Sequence, residues 1–509
     1  MLARRLALTI SVLALFAPAA HAIDDATRQR GREIIAKAIE FLRAEQDAAT
    51  GAWAYNPEGP NLPAITGLVV NGMLKDPRID ARDESVARGL EYILSMQQPD
   101  GGIYDTILPN YNTSICLSAL AAAQTPEATG AMSRGRSFLL GLQYHEGGEW
   151  DAEAPDFNEP VSRDHPYYGG VGYGRHGRPD LSNLSFFLQA MHDTGVSAQD
   201  PAIQRAIVFL SRTQMLDETN DMPYADGSTQ GGFIYATVPN RESIDGRVGQ
   251  SQAGEFEETM DDGTRVSRLR AYGSMTYAGF KSLIFADLER DDPRVVAAER
   301  WIREHYTLEE NPGLGDDGLY YYYLTMARAL DAWDEGDSIA FDRYDVRFPA
   351  GQSVNAARNE PLVIRLSKAV TESGEVFELD APLFEFEITP ADFSGRDKSV
   401  GGVSSRLIGP TQGTLKDGRR YRIDDPAMRS FTDAAADANR LQHSEITLDA
   451  RAVLHVERDH DWRADLINTL AELQNEDGSF TVRSSRWMED NRVLVTTYAL
   501  LAAQAALGR

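Results

Sequence analysis

Residues 86–123 read VARGLEYILSMQQPDGGIYDTILPNYNTSICLSALAAA, and this stretch decides the fold. Val86 and Leu90 begin an apolar stripe at the spacing of an amphipathic helix. The helix breaks at Pro99–Gly102, where glycine permits the positive φ that ends many helices. A second, almost wholly apolar helix follows from Asn112, a residue type that suits a helix N-terminus. The unit is therefore an amphipathic helix, a turn with Gln, Gly and an aromatic residue, and a buried helix.

The same unit recurs along the chain, and repeats of this kind define an architecture. Each copy has a glutamine at the end of an amphipathic helix, then glycine and usually an aromatic residue, then a second apolar helix. The glutamines of five copies are Gln46, Gln97, Gln143, Gln214 and Gln474, and a degenerate copy turns at 311–313. The sequence thus predicts six helix pairs. Six pairs close into a ring, with the buried helices inside and the amphipathic helices outside.

Residues 338–458 do not fit the repeat. Short runs with strand-type alternation occur there, such as 384–388, and Gly, Pro and Asp separate them. We therefore predict helix pairs one to five in 23–337, an inserted β-rich domain in 338–458, and a sixth pair in 459–509 that closes the ring. The predicted fold class is all-α, an α/α toroid of six helix hairpins with an inserted β-rich domain.

The turn pattern is clearest at 97–104 and at Gln474-Asn475-Glu476-Asp477-Gly478-Ser479-Phe480. It resembles the QW-type motif of the terpenoid cyclase and protein prenyltransferase superfamily. The chain is similar to exported bacterial, squalene cyclase-like proteins with prenyltransferase/squalene-oxidase repeats, over residues 28–336 and 459–509. Stretches at 178–183, 272–277 and 318–323 look like signatures of that group. The resemblance implies the toroid and an apolar or amphipathic, isoprenoid-like ligand in its central cavity.

Residues 1–22 have the pattern of a signal peptide. Arg4-Arg5 precedes an apolar run over 6–16, and Ala20-His21-Ala22 suits a cleavage site. The sequence therefore predicts export to the periplasm or the extracellular space, by either the general secretory or the twin-arginine route. The run is too short to span a bilayer, and no other stretch is long and apolar enough, so we expect no transmembrane segment.

Charge and motif content exclude several functions. The 509 residues include 77 acidic and 50 basic side chains, a formal net charge of −27, which disfavours a nucleic-acid partner. The single cysteine, Cys116, falls inside a buried helix and is predicted to be core. There is no DxDD acid of the class II terpene cyclases and no Asp, Cys and His set for zinc. We therefore expect no metal and no cofactor.

The helix starts are where we expect a binding site. Each turn leads to the N-terminus of an inner helix, so all six N-termini should meet at one end of the ring. A concave pocket with aromatic walls and a few polar groups is expected there. The candidate ligand-binding residues are Asn112, Asn183, Arg270, Tyr272, Ser274, Tyr277, Tyr320 and Tyr321.

Three functions stay open at this stage. The first is binding of an apolar ligand, with terpene cyclase-like isomerase or lyase chemistry if the chain is an enzyme. The second is polysaccharide lyase or glycoside hydrolase chemistry, which needs a base, an acid or paired carboxylates. Candidate catalytic residues are Asp164, His165, Tyr167, Tyr168 and Asp180. The third is a non-catalytic interaction scaffold that contacts a protein partner through the β-rich insert.

Overall fold

The computed structural model describes residues 23–147, 157–243, 245–259, 264–333, 338–349, 362–390, 400–432 and 446–508. The predicted signal peptide, residues 1–22, lies outside these ranges. The helices of the described part are α1 (Asp25–Ala44), α2 (Pro63–Leu74), α3 (Glu84–Ser95), α4 (Pro109–Ala123), α5 (Pro126–Leu140), α6 (Leu181–Asp193), α7 (Pro201–Thr213), α8 (Gly273–Phe285), α9 (Pro293–His305), α10 (Leu319–Trp333), α11 (Trp462–Leu473) and α12 (Arg492–Ala506). None of these helices has both the length and the apolar character needed to cross a bilayer.

The helices alternate between two kinds. The odd-numbered helices are amphipathic, and most begin at an aspartate whose side chain accepts a first-turn N–H, as Asp83 does from Ser85 and Val86. The even-numbered helices are buried on almost every side; in α12 every residue from Val493 to Ala506 is buried. A helix with no polar face requires a protein neighbour on all sides, so the even-numbered helices must lie inside.

The even-numbered helices form a closed inner ring. In chain order, each of α2, α4, α6, α8 and α10 packs against the next even-numbered helix, and α12 packs back against α2. The odd-numbered helices lie outside this ring, and most of them pack against the inner helix that precedes them in the chain, as α3 does against α2 and α5 against α4. Because α1 contacts both α11 and α12, the two ends of the chain meet and complete the outer layer.

A repeated hydrogen-bond fork from the motif glutamine joins neighbouring outer helices. The Gln97 Nε2 group donates to Gly101 O at 3.0 Å, within its own turn, and to Ala131 O at 2.9 Å, on the next outer helix. The equivalent acceptor pairs are Gly51 and Ser85 for Gln46, Gly169 and Ala202 for Gln143, Gly231 and Arg294 for Gln214, and Gly478 and Ile34 for Gln474. The last fork runs from α11 to α1 and so closes the outer layer.

The turn glycine makes the fork possible. Gly478 has a φ of +88°, and a Cβ added to it would lie 2.2 Å from Lys37 O on α1. Gly101 has a φ of +94°, and its Cβ would lie 2.6 Å from Arg134 O on α5. Both the backbone conformation and the approach to the neighbouring helix therefore exclude a side chain.

The predicted all-α fold class is wrong, because the chain is mixed α and β. The strands of the described part are β1 (Glu255–Thr259), β2 (Arg265–Leu269), β3 (Ser338–Pro349), β4 (Leu362–Leu366), β5 (Lys368–Thr371), β6 (Val376–Glu378), β7 (Phe384–Pro390), β8 (Val400–Leu407), β9 (Gln412–Thr414), β10 (Arg420–Thr432) and β11 (Ile446–His460). They form antiparallel sheets of six strands in the order β6-β5-β3-β11-β10-β9, of three strands in the order β4-β7-β8, and a hairpin β1-β2.

The sheets are too extensive to count as an appendage to a helical fold. Strands β3 and β11 pair along most of their length, from Ser338 with His460 to Pro349 with Asp449. Phe348, Phe384 and other strand residues form a hydrophobic core separate from that of the helices. The all-α class followed from the repeats alone and gave no weight to this second core.

His460 connects the six-stranded sheet to the helices. Its Nε2 lies 2.9 Å from Asp342 Oδ1 on β3, and its Nδ1 lies 3.0 Å from Asp465 Oδ2 on α11. Hydrogen bonds to these two carboxylates raise the pKa of His460 to about 9. The imidazolium therefore bridges two carboxylates at neutral pH, where the chain passes from β11 to α11.

Replacing Gly478 tests the contact that closes the outer layer. Gly478→Ala should lower the free energy of unfolding by about 3 kcal/mol, because it adds a backbone clash to the cost of a positive φ. Gly195→Ala is the matched control: its φ is +78°, but nothing lies within 4 Å of the added Cβ. It should cost about 1 kcal/mol. Urea denaturation of both variants measures the difference, and equal losses would contradict the close approach of α11 to α1.

Candidate functional site

A cavity of about 290 Å³ lies at the end of the ring where the inner helices begin. Every inner helix contributes a residue from its first two turns. These residues are Ile65 of α2, Tyr111 of α4, Ser182 and Phe186 of α6, Ser274 and Met275 of α8, Tyr321 of α10, and Leu494 and Tyr498 of α12. Tyr173, Tyr235, Gln252 and residues 487–489 line it from the connecting loops. The cavity is therefore built by the convergence of the six helix starts.

Six tyrosines line the wall, and five of them hydrogen-bond to one another or to serine. The hydroxyls of Tyr111 and Tyr498 lie 3.4 Å apart, and those of Tyr173 and Tyr235 lie 3.3 Å apart. The Tyr321 hydroxyl lies 3.1 Å from Ser182 Oγ. Because these polar tips contact each other, the rings present a largely apolar surface to the cavity.

Glu489 places a carboxyl group in this wall. Its side chain is only 2% exposed, and Oε1 accepts the backbone N–H of Tyr321 at 2.8 Å, in the first turn of α10. Burial raises the pKa of Glu489 to about 7, against the opposing effect of first-turn N–H groups of α10. The carboxyl group therefore exists in both protonation states near neutral pH, and it was not among the residues predicted from the sequence.

The segment before α12 forms one side of the mouth of the cavity. Trp487 and Met488 line the cavity, are 46% and 43% exposed, and have left-handed φ values of 54° and 66°. Such values cost non-glycine residues about 1 kcal/mol or more each. The segment is held by Arg486, which donates to Asp317 Oδ2 at 3.0 Å, and the Trp487 ring packs over Gly318.

Three of the predicted ligand-binding residues, Tyr272, Ser274 and Tyr321, line the cavity. The others have different positions. Asn112 accepts the N–H of Ala64 at 3.0 Å and so joins α4 to α2, and Asn183 donates to Asp180 Oδ2 at 2.8 Å.

The remaining three predicted residues also lie away from the cavity wall. Arg270 is exposed and lies over the Phe256 ring at 5.1 Å. Tyr277 packs edge to face on Tyr322, with 5.6 Å between ring centroids, and Tyr320 donates to Thr481 O at 2.7 Å.

The candidate catalytic residues do not converge on the cavity. Asp164 is exposed, and His165 Nδ1 accepts the N–H of Tyr167 at 3.1 Å. The Tyr168 hydroxyl donates to Glu146 Oε1 at 2.9 Å. Burial lowers the pKa of His165 and raises that of Tyr167. These four residues precede α6, and none of them lines the cavity.

Asp180 is the fifth candidate and caps α6. Its side chain is fully buried and accepts the N–H of Asn183 at 2.9 Å. Burial raises the pKa of Asp180 to about 6, while the hydrogen bonds from Asn183 oppose this rise. Asp180 lies behind the wall rather than in it, since it is not one of the lining residues.

The sequence did not predict several residues that line the cavity, because the patterns around them are weak. Tyr173, Tyr235 and Trp487 lie in loops outside the repeat, so spacing does not indicate which way they face. Glu489 has a faint signal, since it lies two residues before Asn491, which caps α12. Among the described residues, no three His, Cys, Asp or Glu side chains converge to hold a metal ion.

Comparison with known proteins adds no assignment. The chain matches no protein-family model, and a search of curated proteins finds no match.

The pH dependence of stability tests the environment of Glu489. Its pKa of about 7 is above the ordinary 4.5, so the folded state binds this proton more tightly than the unfolded state. The resulting stability is present below pH 4.5 and is lost as pH rises through 7. Between pH 4.5 and 8, titration of Glu489 should lower the free energy of unfolding of the parent by about 3 kcal/mol. Glu489→Gln should not show this decrease.

Urea denaturation across this pH range, compared with the parent, measures the effect. Glu476→Gln is the control, because Glu476 is exposed in the turn after α11. A parallel stability profile for Glu489→Gln and the parent would show that this carboxyl group is solvated.

Proposed function

We propose that this chain is an exported, squalene cyclase-like protein that binds a small apolar or amphipathic, isoprenoid-like ligand in the cavity at the inner-helix N-termini. The observation that carries the proposal is the cavity wall. Aliphatic and aromatic side chains from all six inner helices line it, among them Ile65, Phe186 and Met275. A concave apolar site with a few polar groups is typical of small-molecule binding.

The wall favours an apolar ligand on energetic grounds. Each Å² of apolar ligand surface removed from water contributes about 25 cal/mol, so filling the cavity with hydrocarbon is favourable. The paired tyrosines are fixed by mutual hydrogen bonds, such as that between Tyr111 and Tyr498. A wall that is already ordered costs little conformational entropy when the ligand binds.

The acid in the wall favours binding over protonation of an alkene. Among the described residues, Glu489 is the one carboxyl group that lines the cavity. Protonating a carbon–carbon double bond requires a strong acid, whereas burial raises the pKa of Glu489 to about 7 and so weakens it. The Glu489 carboxyl group can still transfer a proton to or from an oxygen or an activated carbon, so isomerase or lyase chemistry stays open.

The carbohydrate alternative gains no support from the site. A lyase or glycosidase places a base or two carboxylates against the sugar, often with a group that neutralises a uronate. Asp164 is exposed in its loop, and Asp180 lies behind the cavity wall. We therefore do not propose a carbohydrate function.

Filling the cavity tests the proposed binding. Farnesol should bind the purified protein with a Kd on the order of 10 μM, measured by equilibrium dialysis and gas chromatography. Ser182→Phe places a ring in the cavity and should weaken this binding at least about tenfold. Ser197→Phe, on the exposed loop after α6, is the control and should bind like the parent.

The same dialysis includes trigalacturonate as a carbohydrate probe. Farnesol binding that survives Ser182→Phe would place the ligand elsewhere on the protein. Binding of trigalacturonate in place of farnesol would overturn the proposed function.

A further inference from the structure

One hydroxyl in the cavity wall lacks a partner. Tyr272 lines the cavity and is 2% exposed, and its hydroxyl makes no hydrogen bond with any residue in the described part of the chain. The other tyrosine hydroxyls of the wall each lie within 3.4 Å of a second hydroxyl. Tyr272 is therefore the exception among the tyrosines that form the wall.

Hydrogen bonds hold the backbone of Tyr272 in place. Its N–H donates to Phe233 O at 3.3 Å, and its carbonyl accepts from the N–H and the hydroxyl of Thr276, each at 2.9 Å. Tyr272 is the residue directly before α8, which begins at Gly273. The first turn of an inner helix therefore fixes the backbone from which the phenol extends.

Two other small polar groups of the wall each have a protein partner. Ser274 Oγ accepts from Asn311 Nδ2 at 3.3 Å, and Gln252 Oε1 accepts from Arg486 at 2.9 Å. The Tyr272 hydroxyl lies at the cavity, so a ligand oxygen can accept from it without displacing a protein partner, and such a bond contributes about 0.5–1.5 kcal/mol. Burial raises the pKa of Tyr272 well above its usual 10, so its hydroxyl remains protonated and available as a donor.

The charge of the wall restricts what this donor can bind. The described residues that line the cavity include no Lys, Arg or His, and they include the acidic Glu489. Asp180 lies behind the wall and acts electrostatically on Tyr272, opposed by Arg486. A phosphate or carboxylate group would enter the cavity without a cation to pair with it, so the site disfavours an anionic head group.

We propose that the ligand is an apolar skeleton with one neutral oxygen, a hydroxyl or a carbonyl, and that the Tyr272 hydroxyl donates to that oxygen. This inference rests on the proposed function, because it assumes that the cavity binds an apolar ligand. In this proposal, the Tyr272 hydroxyl makes the affinity for an oxygenated ligand higher than the affinity for the corresponding hydrocarbon. A neutral hydrogen bond of this kind changes affinity by about threefold to tenfold.

The experiment compares farnesol with β-farnesene, a hydrocarbon of similar size without the hydroxyl. Equilibrium dialysis of the full chain gives the Kd of each compound for the parent, Tyr272→Phe and Tyr277→Phe. The last variant is the matched control, because Tyr277 lies in α8 outside the cavity and its hydroxyl also has no hydrogen-bond partner among the described residues. Thermal unfolding of all three proteins establishes that each is folded at the temperature of the assay.

The expected result is that the parent and Tyr277→Phe bind farnesol about threefold to tenfold more tightly than farnesene. In Tyr272→Phe this preference should disappear through weaker farnesol binding, with farnesene unchanged. Equal affinity for the two compounds in the parent would overturn the role of Tyr272 and leave the cavity proposal intact. A preference for farnesol over farnesene that persists in Tyr272→Phe would also overturn the role of Tyr272 and leave the cavity proposal intact. Binding of neither compound would overturn the proposed function itself.

Discussion

The fork of hydrogen bonds from the motif glutamine is the interaction on which the rest of the structure depends. One side-chain amide donates to the carbonyl of its own turn and to a carbonyl on the next outer helix, as Gln143 does to Gly169 and Ala202. Both acceptors are backbone carbonyls. The one on the next outer helix lies before the last turn of that helix, so it accepts the amide through its second lone pair, beside its intrahelical hydrogen bond. Five of the six turns are thereby fixed to a neighbouring outer helix, and the fork of Gln474 joins the end of the chain to its beginning.

The cavity follows from this constraint. The forks hold five of the six turns at the same end of the outer layer, and all six inner helices start at that end. Six helix starts bring unpaired N–H groups and positive dipole ends together, and these groups require acceptors. Asn112, Asp180 and Glu489 supply them at α2, α6 and α10. The polar groups nearest the cavity are thus largely occupied with capping, which leaves tyrosine rings and aliphatic side chains to form the wall.

The sequence predicted the parts of the molecule that repeat and missed those that do not. The glutamines and glycines recur at fixed positions, so the helix pairs and their order could be inferred from spacing. The alternation in 384–388 indicated strands, yet the all-α class was wrong because the size of the sheet depends on pairings such as β3 with β11, which are far apart in sequence. Long-range pairing leaves no local pattern.

The same limit applies to the site. Tyr272, Ser274 and Tyr321 were identifiable because they lie at helix starts. Asn112 and Asn183 also lie at helix starts, but their side chains contact protein rather than the cavity. Asn112 accepts the N–H of Ala64 in α2, and Asn183 accepts from Asn110 of α4, contacts that depend on which helix packs beside them. Tyr235 and Glu489 come from loops, and only the packing of those loops brings them to the wall.

Hydrogen exchange with and without farnesol tests the central claim most directly, namely that the converging inner-helix starts form the binding site. The first N–H groups of a helix have no intrahelical acceptor, so their exchange reports access of water to the cavity. We expect slower exchange on ligand addition at the starts of all six inner helices and in the segment containing 487–489, with the opposite end of the ring unchanged. Slower exchange at the opposite end of the ring or in the sheet, without change at the helix starts, would contradict it.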